Sequence, residues 1–377
     1  MRVTLVNCAH AAHHTTPEAV IEEFRTLRGW AEGLRDAGAD VTVVQGFTAD
    51  ADYVRAAISY RFIAGPFTPR LRRWHIPRRL HQEVVRSTPD VVHLNGMLYA
   101  AQAADLRRRL PDSAALVVQH HAARPRRGPW SLVERIGLGA ADGFLFTGAD
   151  TAAPWRERGV IHARQPVFEV MEGSSHFQMR ERTEARAHTG TQGDPLCLWT
   201  GNLDANKDPL TMLAGFEAAL ADLPGARLVM LYRHTELLSE VRATIAASPR
   251  LSAAVEMIGA VPYEDIEAFY NSADIFLQGS HREGSGFALV DAMACGVIPV
   301  VTDIPSFRFM TGAGRVGALW PPGNAAALRT ALVARAREAL PAQRSATRAC
   351  FEERLAFDVI GRQALDAYQQ VLTARRG

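Results

Sequence analysis

The sequence predicts an α/β protein of two doubly wound, Rossmann-like parallel-sheet domains in tandem. Three observations carry that expectation. The 377 residues exceed the roughly 250–300 that one hydrophobic core accommodates. Short apolar runs alternate with stretches of helical periodicity, the pattern of parallel strands joined by crossover helices. The alternation also occurs twice, on either side of the polar stretch GSSHFQMRERTEARAHTGTQGD at 173–194, which lacks a sustained apolar stripe. The expected layout is a first domain at 1–172, a linker region at 173–194, a second domain at 195–345 and a C-terminal helix at 346–377.

In the first half, strands are expected at 3–6, 41–44, 91–94, 115–118 and 144–146. Each is a short apolar run, as suits a strand covered on both faces. Helical patterns fall at 18–36, 101–110 and 130–137. In the second half, strands are expected at 196–199, 227–231, 255–258, 275–277 and 298–301, and helices at 210–220, 236–246, 263–271 and 287–294. The stretch 342–376 reads as helical. Ligands of such sheets bind at the carboxyl ends of the strands, so two facing domains would hold a substrate in the cleft between them.

Composition narrows the class. With 47% hydrophobic and 22% charged residues the chain is globular. It has no apolar run of about 18 residues and no basic start leading into an apolar stretch and cleavage site, so neither a membrane span nor a signal peptide is expected. The expected compartment is the cytoplasm. Cys8, Cys197, Cys295 and Cys350 lack CxxC spacing, which fits reduced, buried thiols and gives no reason to expect a metal site.

Net charge is only +2, but it is uneven. Residues 1–190 hold 25 arginines against 20 acids, and residues 191–377 hold 17 basic against 20 acidic residues. Between Arg55 and Arg127 there are 14 arginines and four acids, with aromatics interleaved in YRFIAGPFTPRLRRWHIPRRL at 60–80. That cluster reads either as a solvated surface helix or as a surface for an anionic acceptor or an acidic membrane. Nucleic acid is not an expected partner.

Lys207 is the only lysine; the other 41 basic side chains are arginines. A compact ammonium suits a phosphate differently from a guanidinium fork. It lies in LCLWTGNLDANKDPL at 196–210, which reads as a strand, a Gly-Asn turn, a polar loop and a helix opened by Pro209. The second informative segment is IFLQGSHREGSGFALVDAMACGVIPVVTD at 275–303. Its side-chain-poor Gly284-Ser285-Gly286 loop leads into an apolar helix, leaving free amides at a helix N-terminus suited to an anion. Glu283 precedes this loop, and Asp291 lies four positions beyond Phe287 on the same helical face. Carboxylates beside an anion site would repel the ligand unless it also offers hydroxyls. A sugar nucleotide combines both features.

From Glu283 to Val301 the sequence EGSGFALVDAMACGVIPVV resembles the signature of retaining glycosyltransferases of family 4 (glycosyl transferases group 1), which have the GT-B fold. Gly201 to Lys207 resembles that family's diphosphate loop, and VEMIGAVPYEDIEAFYNSADIFLQGS at 255–280 its stretch ahead of the acid motif. The first half matches loosely, through DVVHLNG at 90–96 and VVQHHA at 117–122. The resemblance implies transfer of a sugar from a nucleoside diphosphate sugar of UDP or GDP type to an acceptor hydroxyl, with retention of configuration and no metal or other cofactor. Gly201, Asn202 and Lys207 would hold the diphosphate. Gly284, Ser285, Gly286, Phe287 and Ala288 would contact the donor sugar or its phosphate. Glu283 would hold sugar hydroxyls, and Asp291 the ribose, where the family usually has glutamate. His121 would face the donor sugar, with His120 as its alternative.

Two departures from the family stand out. Asn202 occupies the position of an arginine, so one diphosphate cation is missing; Arg233, after the next strand, is a candidate replacement or else a solvated loop residue. Residues 7–17, NCAHAAHHTTP, replace a glycine-containing turn. His10, His13 and His14 there read either as contacts for an acceptor, donor or metal or as a polar loop. With Asn95 and His120 they form the acceptor-side candidates. The acceptor would be a glycan, a lipid-linked molecule or a small molecule, with peripheral placement on the inner face of a membrane if the Arg55 to Arg127 cluster docks there. Rival readings are a nucleotide-sugar epimerase, a sugar phosphorylase and a catalytically weak binding partner. A nicotinamide dehydrogenase is disfavoured, since no GxGxxG follows the first strand.

Overall fold

The computed structural model describes residues 1–9, 13–65, 75–121 and 123–376. They form two compact units, Met1–Ser174 with Phe357–Gly377, and Ser175–Ala356.

The first unit is built on eight strands among the described residues: β1 (Arg2–Asn7), β2 (Asp40–Phe47), β3 (Ala51–Arg55), β4 (Ile58–Ala64), β5 (Val91–Asn95), β6 (Ala115–Gln119), β7 (Gly143–Phe146) and β8 (Val167–Glu169). Their order is β3-β4-β2-β1-β5-β6-β7-β8, parallel except for the β3/β4 hairpin. Alternation along the strands sends side chains to opposite faces. Val92, Leu94, Leu116 and Val118 join one core with Leu80, Ala103, Leu106 and Leu138 from covering helices. His93, between Val92 and Leu94, points the other way and packs against Trp30 and Tyr368.

On that second face the helix Phe357–Arg376 lies against the helix Arg25–Asp36. Glycines permit the contact: a Cβ on Gly33 would strike the Phe357 carbonyl, one on Gly361 the Gly33 carbonyl, and one on Gly29 the Phe357 ring. The Tyr368 hydroxyl meets His93 Nδ1 at 2.6 Å, and Arg375 pairs with Asp142.

The hairpin β3/β4 escapes sequence reading for a physical reason. Its two-residue turn is Ala56-Ala57, with φ of 50° and 60°. Such turns ordinarily announce themselves by Asn or Gly. The basic aromatic stretch is therefore strand, not helix, where it is described first: Tyr60 and Phe62 point inward and Arg61 is only half-buried. Helix 18–36 is also two helices, Pro17–Glu23 and Arg25–Asp36, broken at Phe24.

The second unit has six parallel strands among the described residues: β9 (Leu196–Gly201), β10 (Arg227–Tyr232), β11 (Val255–Gly259), β12 (Ile275–Gln278), β13 (Ile298–Thr302) and β14 (Ala318–Trp320). Their order is β11-β10-β9-β12-β13-β14. Its core gathers Trp199, Met230, Ile275, Leu277 and Val300 with Met212, Phe216 and Leu328. Part of the polar stretch 173–194 is a helix, Arg182–Thr189, lying along the helix Tyr263–Ser272. Its arginines anchor it: Arg182 and Arg186 both bond to Asp274, which is 2% exposed and also accepts from the Leu196 amide at 2.8 Å. An amphipathic count misses this helix because Ala185 is its one buried residue.

Cys8, Cys197, Cys295 and Cys350 are free and buried. Among the described residues no helix is long and apolar enough to cross a membrane.

Candidate functional site

The site in the second unit grows from the carboxyl ends of β9, β10 and β12. After β9 the chain turns through Asn202 and buries Leu203, whose amide donates to the His234 carbonyl at 2.9 Å. The Lys207 amide donates to Asp204 Oδ1 at 2.9 Å. Asp208, at φ 45°, caps the helix Pro209–Ala219 by accepting from the Thr211 amide at 3.2 Å. Its other carboxylate oxygen faces His281 Nε2 at 3.1 Å. Asn206 Nδ2 donates to the Arg282 carbonyl at 3.0 Å, and the His281 amide to the Asn206 carbonyl at 2.8 Å. A Cβ on Gly279 would sit 3.2 Å from the carbonyls of both Lys207 and Asp208, so glycine lets the two loops approach.

These bonds align the loops so that Lys207 Nζ donates to Glu283 Oε1. The two side chains are 16% and 12% exposed, so the pair is shielded from solvent and stronger than a surface ion pair. Ser285 is buried, and Gly286, at φ 52°, starts the helix Phe287–Ala294 without a side-chain cap. A Cβ there would press on Phe307 and Met310 at 3.1 Å. The first amides of the helix, including those of Phe287 and Ala288, lack intrahelical partners. Phe287 is 41% exposed. One turn on, Asp291 accepts a hydrogen bond from Ser175, yet burial pushes its pKa from 3.8 up to about 7.

Arg233 and Asn202 occupy adjacent positions. Tyr232, the last residue of β10, is the register partner of Gly201, the last residue of β9, so Arg233 and Asn202 are the first residues beyond the two paired strand ends. Arg233 is exposed, and among the described residues neither side chain has a bonded partner.

In the first unit, His121 Nε2 meets Asn95 Oδ1, while its Nδ1 lies 3.3 Å from Glu172 Oε2. The bond to Asn95 and the nearby Glu172 carboxylate hold the ring from its two sides. Glu172 is 5% exposed, and its carbonyl accepts from Trp30 Nε1 at 2.9 Å. His120 is different. It is 6% exposed, stacks on Phe146 at 4.5 Å and bonds through Nε2 to the Ala123 carbonyl at 2.9 Å. Burial lowers its pKa. His120 is thus held in the core, while His121 is the more open of the two.

His13 and His14 both approach the Glu23 carboxylate, at 3.3 and 3.0 Å, with the ligand atoms of all three within 4.8 Å of one another. His10 lies outside the described residues.

The arginine cluster is less cationic than its count, because several members pair with acids beyond the segment. Arg55 pairs with Glu22, Arg79 with Asp50 and Arg107 with Asp142.

Asp204, Asp208, His281 and Glu172 were not singled out from sequence. They work by holding loops and rings, and nothing in their local spacing announces such cross-loop bonds.

Residues 181–338 match the family model described as Glycosyl transferases group 1. The GDP-mannose:cellobiosyl-diphosphopolyprenol alpha-mannosyltransferase of Xanthomonas oryzae pv. oryzae (strain PXO99A) is 30% identical over 242 residues, 60% of this chain and 58% of that protein. The chain thus matches less than two thirds of that relative's length. Sucrose-phosphate synthase from Thermosynechococcus elongatus superposes with a TM-score of 0.65 at 20% identity, over 99% of both chains. A glycosyltransferase from Rickettsia africae gives 0.70 at 14% identity, over 98% of both. The fold is GT-B, with two parallel-sheet α/β domains. The family-model match and the mannosyltransferase relative support a GT-B glycosyltransferase.

Proposed function

We propose that this chain is a retaining glycosyltransferase of family 4 that moves a sugar from a nucleoside diphosphate sugar to an acceptor hydroxyl without a metal. The observation that carries this reading is the Lys207–Glu283 pair beside the uncapped start of the helix Phe287–Ala294. It joins a cation and free amides, which suit a diphosphate, to a carboxylate that suits sugar hydroxyls. GDP-mannose is the leading donor, because the Xanthomonas relative is named for it.

In the reaction, the bond between the anomeric carbon and the diphosphate oxygen breaks and the acceptor oxygen bonds to that carbon on the same face. The acceptor proton passes to the departing phosphate. Negative charge grows on the diphosphate, so fixed cations and amides aimed at it supply the largest catalytic effect. Lys207 and Arg233 neutralise it, with Gly201 and Asn202 turning the loop beneath. The amides of Gly284, Ser285, Gly286, Phe287 and Ala288 bind the donor, Glu283 holds sugar hydroxyls, and Asp291 accepts from the ribose. His121, fixed by Asn95 and Glu172, faces the sugar.

The test is incubation with a panel of nucleotide sugars, with and without candidate glycan and lipid-linked acceptors, in the presence of a chelator. Release of one nucleoside diphosphate with formation of a product of unchanged anomeric configuration is expected. Isomerised donor, sugar phosphate made without nucleotide, or no turnover with any donor would overturn the reading.

A further inference from the structure

We propose that the helix Pro129–Gly139 seats the first unit on a lipid bilayer bearing acidic headgroups. Isolated exposed apolar residues are ordinary on protein surfaces. Here Trp130, Leu132, Val133 and Ile136, which are 41%, 59%, 37% and 62% exposed, account for four of the eight large hydrophobic side chains exposed among the described residues. All lie within seven consecutive positions. Leu132, Val133 and Ile136 have the i, i+1, i+4 spacing of one helical face.

The opposite face is fixed. Leu138 is fully buried, and Gly137 sits against Ala100, where a Cβ would strike the Ala100 carbonyl. Glu134, the only acid of the helix, is 4% exposed, accepts from the Arg126 amide at 2.8 Å and faces the Arg126 guanidinium at 3.6 Å. The helix therefore turns its acid inward and its aliphatic side chains outward. Rotation to hide them would break the Gly137 contact and the Glu134 bonds together.

The surrounding charge selects the occupant. Arg124, Arg127 and Arg135 are exposed around the apolar face. The Arg126 guanidinium lies 5.8 Å from the Trp130 ring, and Arg158 donates to the Pro125 and Arg126 carbonyls at 3.3 Å. An aromatic at the helix start, aliphatic residues along one side and flanking guanidiniums match an interface of acyl chains beneath anionic headgroups. A two-fold contact between copies would bring these arginines against their own images, which like charge disfavours.

This proposal does not depend on the transfer reaction. Its test is flotation of the full chain with phosphatidylcholine vesicles and with vesicles containing about one third phosphatidylglycerol. Binding to the acidic vesicles is expected at low salt, with loss at high salt. Leu132→Ser with Ile136→Ser, and separately Arg124→Gln with Arg127→Gln, are each expected to reduce bound protein at least fivefold while leaving the melting temperature and nucleoside diphosphate binding unchanged. Equal flotation of both variants, or no binding of the wild type to acidic vesicles at low salt, overturns the proposal. So does a dimer in solution that the Leu132/Ile136 variant abolishes without any effect of vesicles.

Discussion

Lys207 and Glu283, 76 residues apart in sequence, meet as an ion pair in the second unit. The pairing ties the loop after β9 to the loop after β12. It also means that the proposed diphosphate cation and the proposed sugar-binding carboxylate are held by each other. Glu283→Gln keeps the side-chain shape but loses the charge that orients the ammonium and the acceptor pair for sugar hydroxyls. Transfer is expected to fall at least 100-fold, the scale of one preorganised charge-stabilising group, with a smaller change in affinity for the free nucleoside diphosphate. Calorimetric titration and initial rates separate the two. Equal losses in both would make Glu283 a diphosphate-loop support only.

The register of β9 and β10 makes Arg233 the neighbour of Asn202. Arg233→Ala is expected to raise the donor KM about tenfold and to weaken nucleoside diphosphate binding to match. Adding Asn202→Arg to that variant should restore most of the binding, since either strand end can present a cation to the same diphosphate. Absence of any rescue, with Arg233→Ala at wild-type affinity, would make Arg233 a solvated loop residue.

Asp291 gives a pH signature. Its pKa is raised from 3.8 to about 7 by burial, so the folded state holds this proton more tightly than the unfolded chain does. The stability it contributes is complete below about pH 4 and is lost as pH rises through 7. Asp291→Asn stays neutral throughout. The variant should therefore gain stability relative to wild type between pH 5 and pH 8, on the order of 2 kcal/mol given the partial exposure of the group. Chemical denaturation at several pH values reads this directly, and a constant difference across that range would contradict it.

The crossing of the helices Arg25–Asp36 and Phe357–Arg376 depends on glycine. Gly33→Ala drives a Cβ into the Phe357 carbonyl and should destabilise by about 1–3 kcal/mol, the usual cost of overpacking. Gly148→Ala is the matched control, because a Cβ there meets nothing within 4 Å. A melting temperature unchanged by Gly33→Ala would show that the helix contact relaxes freely.

The strands with continuous apolar runs were legible in the sequence, and so was the helix Phe287–Ala294, whose bounds match the structure at both ends. Edge elements were not. β3 and β4 turn through two alanines instead of Gly or Asn, while β8 and β14 have three residues each, too few to establish a period. In the candidate site, residue type and a side-chain-poor loop singled out Lys207, Glu283 and Asp291, because both advertise anion chemistry. Neither the Lys207–Glu283 bond nor the different surroundings of His120 and His121 could be read that way. Both follow from packing across distant loops: Phe146 and the Ala123 carbonyl absorb His120, while Asn95 and Glu172 hold His121.

In the proposed reaction the one lysine of this chain serves the donor diphosphate. Nucleoside diphosphate release and thermal melting, measured in parallel for wild type and Lys207→Ala with the donor that the wild type turns over, test that role. A rate at least 100-fold lower is expected with the variant still fully folded at the assay temperature, since the shielded pair joins two loops outside the hydrophobic core. A rate within about twofold of wild type would contradict it.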